Sequence, residues 1–287
     1  DACTLAPRRG RGPAGRTGRA QRTSDAAGVS AAIGTVPASD GGALPRDRHG
    51  RPLHDLRVSV IETCNYRCPY CMPEGSTPPA DEVLDSETRL SFDEIEAAVR
   101  AFARQGVRKL RLTGGEPLLR RKLPDLIARL AAIPGIDDLA LTTNGSLLAG
   151  KAKALREAGL HRLTVSLDAL DPVLFRELSG NRGEVEDVLA GIAAAEAAGF
   201  GSLKINCVVQ RGVNEGEVLP LAQRFRGTPH VLRFIEYMDV GNCNGWSAER
   251  VVPTRELHAR IGMRWRPEFI RCIGIFPPNF TICSADL

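Results

Sequence analysis

From residue 56 onward the chain repeats one arrangement of apolar and polar positions. Short apolar runs of β type occupy 56–61, 109–113, 138–143, 162–168, 203–209 and 231–237. Each is followed by a polar cluster, and between the runs lie stretches with helical apolar spacing at 92–104, 123–132, 147–158, 185–198 and 217–225. Ser91 followed by Glu94 is a capping-box start for the first helix, and Gly106, Gly159 and Gly199 stand where helices should stop. Strand–helix alternation predicts a parallel sheet with helices outside it. Six such units fit the available length, whereas a closed eight-unit barrel takes roughly 250 residues. The pattern therefore favours an α/β fold, an incomplete (β/α)6 TIM-like barrel, over a doubly wound sheet.

The polar clusters fall at 113–116, 142–144 and 166–168, at Lys204 with Asn206, and at Glu236 with Met238. In a parallel barrel the C-terminal strand ends converge on one mouth, where active sites lie. Five clusters on the same side of five units point to a functional site there.

Composition adds limits. The 287 residues are 43% hydrophobic and 25% charged, ordinary for a globular protein, and no window approaches the ~18 unbroken apolar residues of a membrane span. The net charge of +4 resides wholly in residues 1–50, which hold eight Arg, four Asp and no Lys or Glu. From Arg51 onward, 30 basic residues balance 30 acidic ones, so bulk charge gives no case for nucleic-acid binding. Residues 1–50 are rich in Arg, Gly, Ala, Pro and Ser and read as a disordered basic extension, with an organelle transit peptide as the alternative. Their GxGxxG at Gly10, Gly12 and Gly15 has no strand before it and no helix after it, so it is no dinucleotide site. The apolar run at 26–38 is too broken by Gly and Ser for a signal-peptide core. The expected organisation is this extension at 1–50, a partial-barrel domain at 51–262 and an atypical tail at 263–287.

Eight cysteines are too few for a disulfide scaffold in a chain of this length. Three of them, spaced Cys64-x3-Cys68-x2-Cys71, follow the first predicted strand directly. Thiolates bind iron–sulfur clusters and zinc. A structural zinc site wants four ligands, and the nearest histidine, His54, lies before the strand. A [4Fe–4S] cluster normally takes four cysteines, so three in one loop leave one iron open, which signals catalysis. Metal or redox chemistry in a reducing, cytoplasmic compartment follows.

The motif CNYRCPYC, with Tyr70 before its last Cys, is joined by RLTGGEPLLR at 111–120, LTTNG at 141–145 and VSLDAL at 165–170. DLRVSV at 55–60, LKINCVVQRGVNE at 203–215 and RFIEYMDVGNCNGW at 233–246 complete the set. Together, over about residues 56–260, the chain resembles the GTP 3′,8-cyclase family of the radical S-adenosylmethionine (SAM) superfamily, lyases that open molybdenum cofactor (molybdopterin) biosynthesis. The resemblance implies one [4Fe–4S] cluster on Cys64, Cys68 and Cys71, its open iron chelating the amino and carboxylate groups of SAM. It implies SAM contacts at Tyr70, Gly114, Gly115, Ser166 and Met238, and GTP contacts at Arg57, Arg111, Thr142 and Lys204. The implied reaction abstracts hydrogen from the ribose C3′ of GTP and closes the sugar onto guanine C8, giving (8S)-3′,8-cyclo-7,8-dihydroguanosine 5′-triphosphate. No catalytic residue beyond the cluster and SAM is implied. A basic side chain inside a barrel strand is costly unless paired, and phosphate is a natural partner for it. No GxxxxGK[ST] loop occurs, so side chains would hold the phosphates. The implied partners are GTP, an electron donor and the next enzyme of the pathway, in a possible homodimer, with no nucleic acid and no membrane.

The resemblance stops near the end. The family carries a second [4Fe–4S] cluster on a later Cys-x2-Cys with a third Cys, and a Gly-Gly tail. After Met263 this sequence has only Cys272 and Cys283, with ten residues between them. The second cluster is therefore expected to be absent and GTP turnover by this chain low. Two alternatives stand beside this reading: a peptide-maturing radical SAM enzyme, and a non-catalytic remnant binding SAM or zinc. Asn144 and Ser146 also frame a glycosylation sequon, which is set aside in a cytoplasmic site loop.

Overall fold

A computed structural model describes residues 44–71, 89–238 and 246–265, with the backbone alone at 271–272 and 280–283. The basic extension lies outside the described residues except for 44–50, where Arg46 and Pro52 form an antiparallel bridge around a turn.

Six parallel strands form the body: β1 (Asp55–Ser59), β2 (Lys109–Thr113), β3 (Asp138–Thr143), β4 (Arg162–Ser166), β5 (Lys204–Val209) and β6 (Val231–Glu236). They lie in chain order in the sheet, as the alternation predicts. Two short strands from the tail, β7 (Arg271–Cys272) and β8 (Phe280–Cys283), extend the same sheet beyond β6, with β8 beside β6 and β7 outermost. Among the described residues β1 and β7 do not pair, so the sheet curls as a partial barrel and stays open. The tail, which carries no readable motif, thus still supplies backbone to the sheet.

The connecting helices are α1 (Phe92–Arg104), α2 (Leu123–Ala131), α3 (Ala152–Glu157), α4 (Pro172–Leu178), α5 (Val185–Ala197), α6 (Val218–Phe225) and α7 (Thr254–Arg264). At α1 the capping box forms: the Ser91 hydroxyl accepts from the Glu94 N–H, and Glu94 accepts from the Ser91 N–H at 2.8 Å. Helix α3 is shorter than expected because 147–151 is a turn, a segment that contains the helix-weakening Gly150. Helix α4 has no counterpart in the apolar pattern. Its signal is a start signal, Asp171 accepting from the Leu174 N–H at 2.8 Å with Pro172 at the first position. No helix among the described residues is long and apolar enough to cross a membrane.

The strands have two chemically distinct faces. Leu110 and Leu112, Leu139 and Leu141, Leu163 and Val165, Ile205, Leu232 and Phe234 are fully buried against helix residues such as Val99, Ile127, Leu130, Val188 and Leu221. The alternate positions, including Arg57, Arg111, Thr142, Ser166, Lys204 and Arg233, are less buried and form the inner face. The period-two alternation therefore sends all the chemistry one way.

Beyond the end of β1 the chain stays zipped to the end of β2. Val60 N–H donates to Thr113 O at 2.9 Å, Gly115 N–H to Ile61 O at 2.7 Å and Glu116 N–H to Thr63 O at 2.8 Å. This approach leaves no room for a side chain: a Cβ on Gly114 would lie 2.2 Å from Ile61 O, and one on Gly115 would lie 2.1 Å from Thr63 O. Gly115→Ala is expected to force the segment before Cys64 away from β2. That should cost about 1–3 kcal/mol, as overpacking does, and lower the iron bound per chain. Denaturant unfolding and iron analysis check this, and a native midpoint with full iron would contradict it.

Candidate active site

The loop from Cys64 to Cys71 is held by its own buried arginine. The Arg67 guanidinium donates to the carbonyls of Cys64 (2.6 Å) and Tyr66 (2.9 Å), and Arg67 N–H donates to Ser179 O at 2.9 Å, just past α4. Local sequence alone would make this Arg a surface residue; here it replaces the water that the loop's carbonyls would otherwise need. Cys64, Cys68 and Cys71 then line a single cavity of about 200 Å³ at the C-terminal ends of the strands. Tyr70, Gly114, Gly115, Thr142 and Ser166 line it too, so eight of the twelve residues marked by the sequence meet there. Met238 lies just past β6, 40% exposed, and is not in this lining.

Burial raises the pKa of all three thiols, and nearby carboxylate and thiol groups add to the effect. Reactive cysteine nucleophiles have the opposite surroundings, electropositive and thiolate-stabilising. A bound metal cation would displace their protons. Among the described residues no three Cys, His, Asp or Glu side chains converge on a single-ion site. Three thiols lining one cavity fit a group that takes several thiolate ligands. The donor set thus suits an iron–sulfur cluster.

Two carboxylates brace this cavity, legible beforehand only as members of the polar clusters. Glu116, 1% exposed, accepts from the Leu118 N–H (2.9 Å), the Thr143 hydroxyl (2.7 Å) and the Asn144 N–H (2.7 Å), tying the ends of β2 and β3 together. Burial raises its pKa, opposed by those three donors. Asp168 accepts from the Tyr70 hydroxyl at 2.6 Å and from the Val208 N–H at 2.8 Å, linking the cysteine loop to β4 and β5. Burial pushes the Asp168 carboxyl up to about 6, with both donors acting against the rise. The Tyr70 phenol is raised well above its ordinary value, chiefly by burial and then by Asp168. Tyr70 therefore offers a fixed ring whose hydroxyl is already committed.

Below the mouth, the inner face is cationic. Arg57 and Arg111 are direct partners on β1 and β2, and the same row continues through Ala140 to Arg162 on β4. Lys204 stands opposite Thr164, and Arg233 opposite Asn206. Lys204 opens β5, so it lies deeper in the barrel than the strand-end position expected for it. Arg162 is balanced by a two-pronged bond to Asp138, one arm at 2.7 Å, and Lys109 by Asp55 at 2.6 Å. Arg57, Arg111 and Lys204 make no side-chain ion pair or hydrogen bond among the described residues. Burial lowers the Arg111 pKa, followed by the fields of Arg57, Arg233 and Arg162. Lys204 falls to about 8, from burial first and then from Arg162, Arg233, Arg111 and Lys109. Mutual repulsion held open in this way is the electrostatic signature of a polyanion site. Lys109, Arg162 and Arg233 escaped the sequence reading; the available signal was basic residues at alternate, inward positions of three strands. The Asn206 Oδ1 is buried with no hydrogen-bond partner, an orphan acceptor that a ligand hydroxyl would satisfy.

Comparison with known proteins agrees with this geometry. A family profile described as the radical SAM superfamily matches residues 58–225. A GTP 3′,8-cyclase of Xanthomonas axonopodis pv. citri is 68% identical over 220 residues, covering 77% of this chain and 66% of the relative. A GTP 3′,8-cyclase of Acidothermus cellulolyticus is 56% identical over 220 residues, covering 77% of this chain and 61% of the relative. The chain thus spans just under two thirds of the length of these curated relatives. Among solved structures, Streptococcus suis SuiB bound to the precursor peptide SuiA superposes with a TM-score of 0.64 at 16% identity, over 82% of this chain and 49% of that one. The fold, the three-thiol cavity and the matched profile agree: the chain belongs to the radical SAM superfamily.

Proposed function

We propose that this chain is a GTP 3′,8-cyclase, a radical SAM lyase that converts GTP to (8S)-3′,8-cyclo-7,8-dihydroguanosine 5′-triphosphate in molybdopterin biosynthesis. One observation carries the reading: Arg57, Arg111 and Lys204, which make no ion pair among the described residues, share the inner face whose mouth holds three thiols. A nucleoside triphosphate placed along that axis would put its phosphates among cations and its sugar toward the cysteines. The names of the relatives supply the substrate and the reaction class.

In this reading Cys64, Cys68 and Cys71 hold three irons of a [4Fe–4S] cluster. When bound, the cluster would supply the electron that splits SAM and yields a 5′-deoxyadenosyl radical. The residues do the rest. Gly114 and Gly115 keep β2 close enough to shape the SAM side of the cavity, and Tyr70 and Ser166 meet SAM there, with Met238 outside that lining, just past β6. Arg57, Arg111 and Lys204 neutralise the triphosphate, Thr142 adds a hydroxyl, and Arg162, Arg233 and Lys109 strengthen the field without direct contact. The protein's task is placement and exclusion of water and oxygen, because the cofactor carries the chemistry. An electron donor, the next enzyme of the pathway, a cytoplasmic setting and a homodimer belong to the same proposal.

Anaerobic reconstitution of the 287-residue chain is expected to give a brown protein with about four irons, one [4Fe–4S] cluster. Reduction with SAM should then release 5′-deoxyadenosine faster with GTP than without it. About eight irons would mean a second cluster. A colourless zinc protein, or SAM cleavage indifferent to GTP, would overturn the assignment.

Lys204 gives a pH signature. It is charged below about 8, so the apparent KM for GTP should stay level up to that pH and rise above it. Lys204→Arg should keep KM level through pH 9, because a guanidinium stays protonated. The stability consequence has the opposite sense. Folding depresses this lysine's pKa, so its charge opposes folding fully below about 8, and the penalty fades toward the ordinary lysine value. Lys204→Met should therefore raise the thermal midpoint of the nucleotide-free protein at pH 7 while weakening GTP binding at least tenfold. A midpoint unchanged or lowered by this substitution would show that the lysine carries no such penalty.

A further inference from the structure

The sequon residues set aside above form a hydrogen-bond relay that ends on a cysteine sulfur. Asn144 follows Thr143 at the end of β3, and its main chain is fixed by donation to Glu116 at 2.7 Å. Its side-chain Oδ1 accepts from the Ser146 N–H at 3.1 Å and from the Ser146 hydroxyl at 2.8 Å. A main-chain N–H can only donate, so these bonds decide which end of the amide is oxygen. The Nδ2 must then face the other way. It has two hydrogens and two acceptors: Asn65 Oδ1 at 2.9 Å and Cys64 Sγ at 3.8 Å. Asn65 is itself held, its own Nδ2 donating to Ser146 Oγ at 2.9 Å. The Tyr66 N–H reaches the same sulfur at 3.4 Å. Cys64 thus receives two N–H donors, from Asn144 and from Tyr66.

We infer that Asn144 tunes the reduction potential of the cluster by donating an N–H to the Cys64 thiolate, with Ser146 and Asn65 as its positioning residues. This rests on the reading that the three thiols hold an iron–sulfur cluster. The added electron of the reduced state increases negative charge on the sulfurs, and donors aimed at them stabilise that state and raise the potential. Asn144 and Ser146 are partly buried and bonded to each other, which removes them from any role as a sugar acceptor.

The test is an EPR-monitored redox titration of the reconstituted full chain, without SAM or GTP, alongside iron analysis. Asn144→Asp keeps the shape and the acceptor for Ser146 but replaces the donor with a carboxylate. It is expected to make reduction at least tenfold less favourable, a shift of about 59 mV to lower potential for a one-electron couple. Asn144→Ala should shift the same way by less, and Ser146→Ala, which only loosens the amide, by less again. An unchanged potential in an iron-replete Asn144→Ala protein overturns the inference. If neither Asn144 variant loads iron, Ser146→Ala decides by the same criterion: a lower potential supports the relay, and an unchanged one ends it. Failure of the unsubstituted chain to take up iron would instead overturn the functional reading beneath it.

Discussion

The contact on which the site depends is between two stretches of backbone. Residues 60–63 and 113–116 continue the β1–β2 ladder past the last regular strand residues, at a separation that excludes any Cβ at Gly114 or Gly115. That ladder delivers the cysteine loop to the barrel mouth at a defined height. Everything else in the loop is adjusted from this fixed point: Arg67 satisfies its carbonyls, Tyr70 is pinned by Asp168, and Cys64 meets Asn144. The glycines thus serve the chain's own geometry first. Any ligand they admit inherits a cavity whose wall was placed by two carbonyl oxygens.

A second constraint is electrostatic. The strands bury leucine, valine and isoleucine outward against the helices and turn arginine, lysine, threonine and asparagine inward. Where a carboxylate is available, as with Asp138 for Arg162 and Asp55 for Lys109, the inward cation is neutralised. Where the described residues supply no ion pair, as at Arg111 and Lys204, burial and then the neighbouring cations lower the pKa. The apolar core offsets this cost, so a sheet stabilised on one face tolerates repulsion on the other. Sites specialised for binding charge commonly sacrifice local stability in this way.

The six strands were legible because a period of two and a period of 3.6 alternate cleanly from residue 56, and the start of α1 because a capping box is a local signal. Helix α4 was not legible, since seven residues beginning at Pro172 are too few for periodicity to register and only the Asp171 cap marks them. The strands β7 and β8 were equally hidden, because two and four residues carry no pattern and are defined by their pairing. At the site, the cysteines and glycines were readable from spacing. The parts of Glu116, Asp168 and Asn144 were not, because each acts through a partner at least 27 residues away in the chain. Lys204 was expected at a strand end and lies deeper: a strand beginning at 204 rather than 203 still gives no clue to how far its register sinks below its neighbours.

The low affinity of Lys204 for its proton reaches into calorimetry. In alkaline buffer, any polyanion that entered among Arg57, Arg111 and Lys204 would restore the ammonium form by drawing hydrogen ions from the medium. The heat of association then contains the ionisation heat of whichever buffer surrendered them. Titrations in Tris and in HEPES would return different enthalpies for one and the same event, and their difference would count the protons that the barrel had been too crowded with charge to keep.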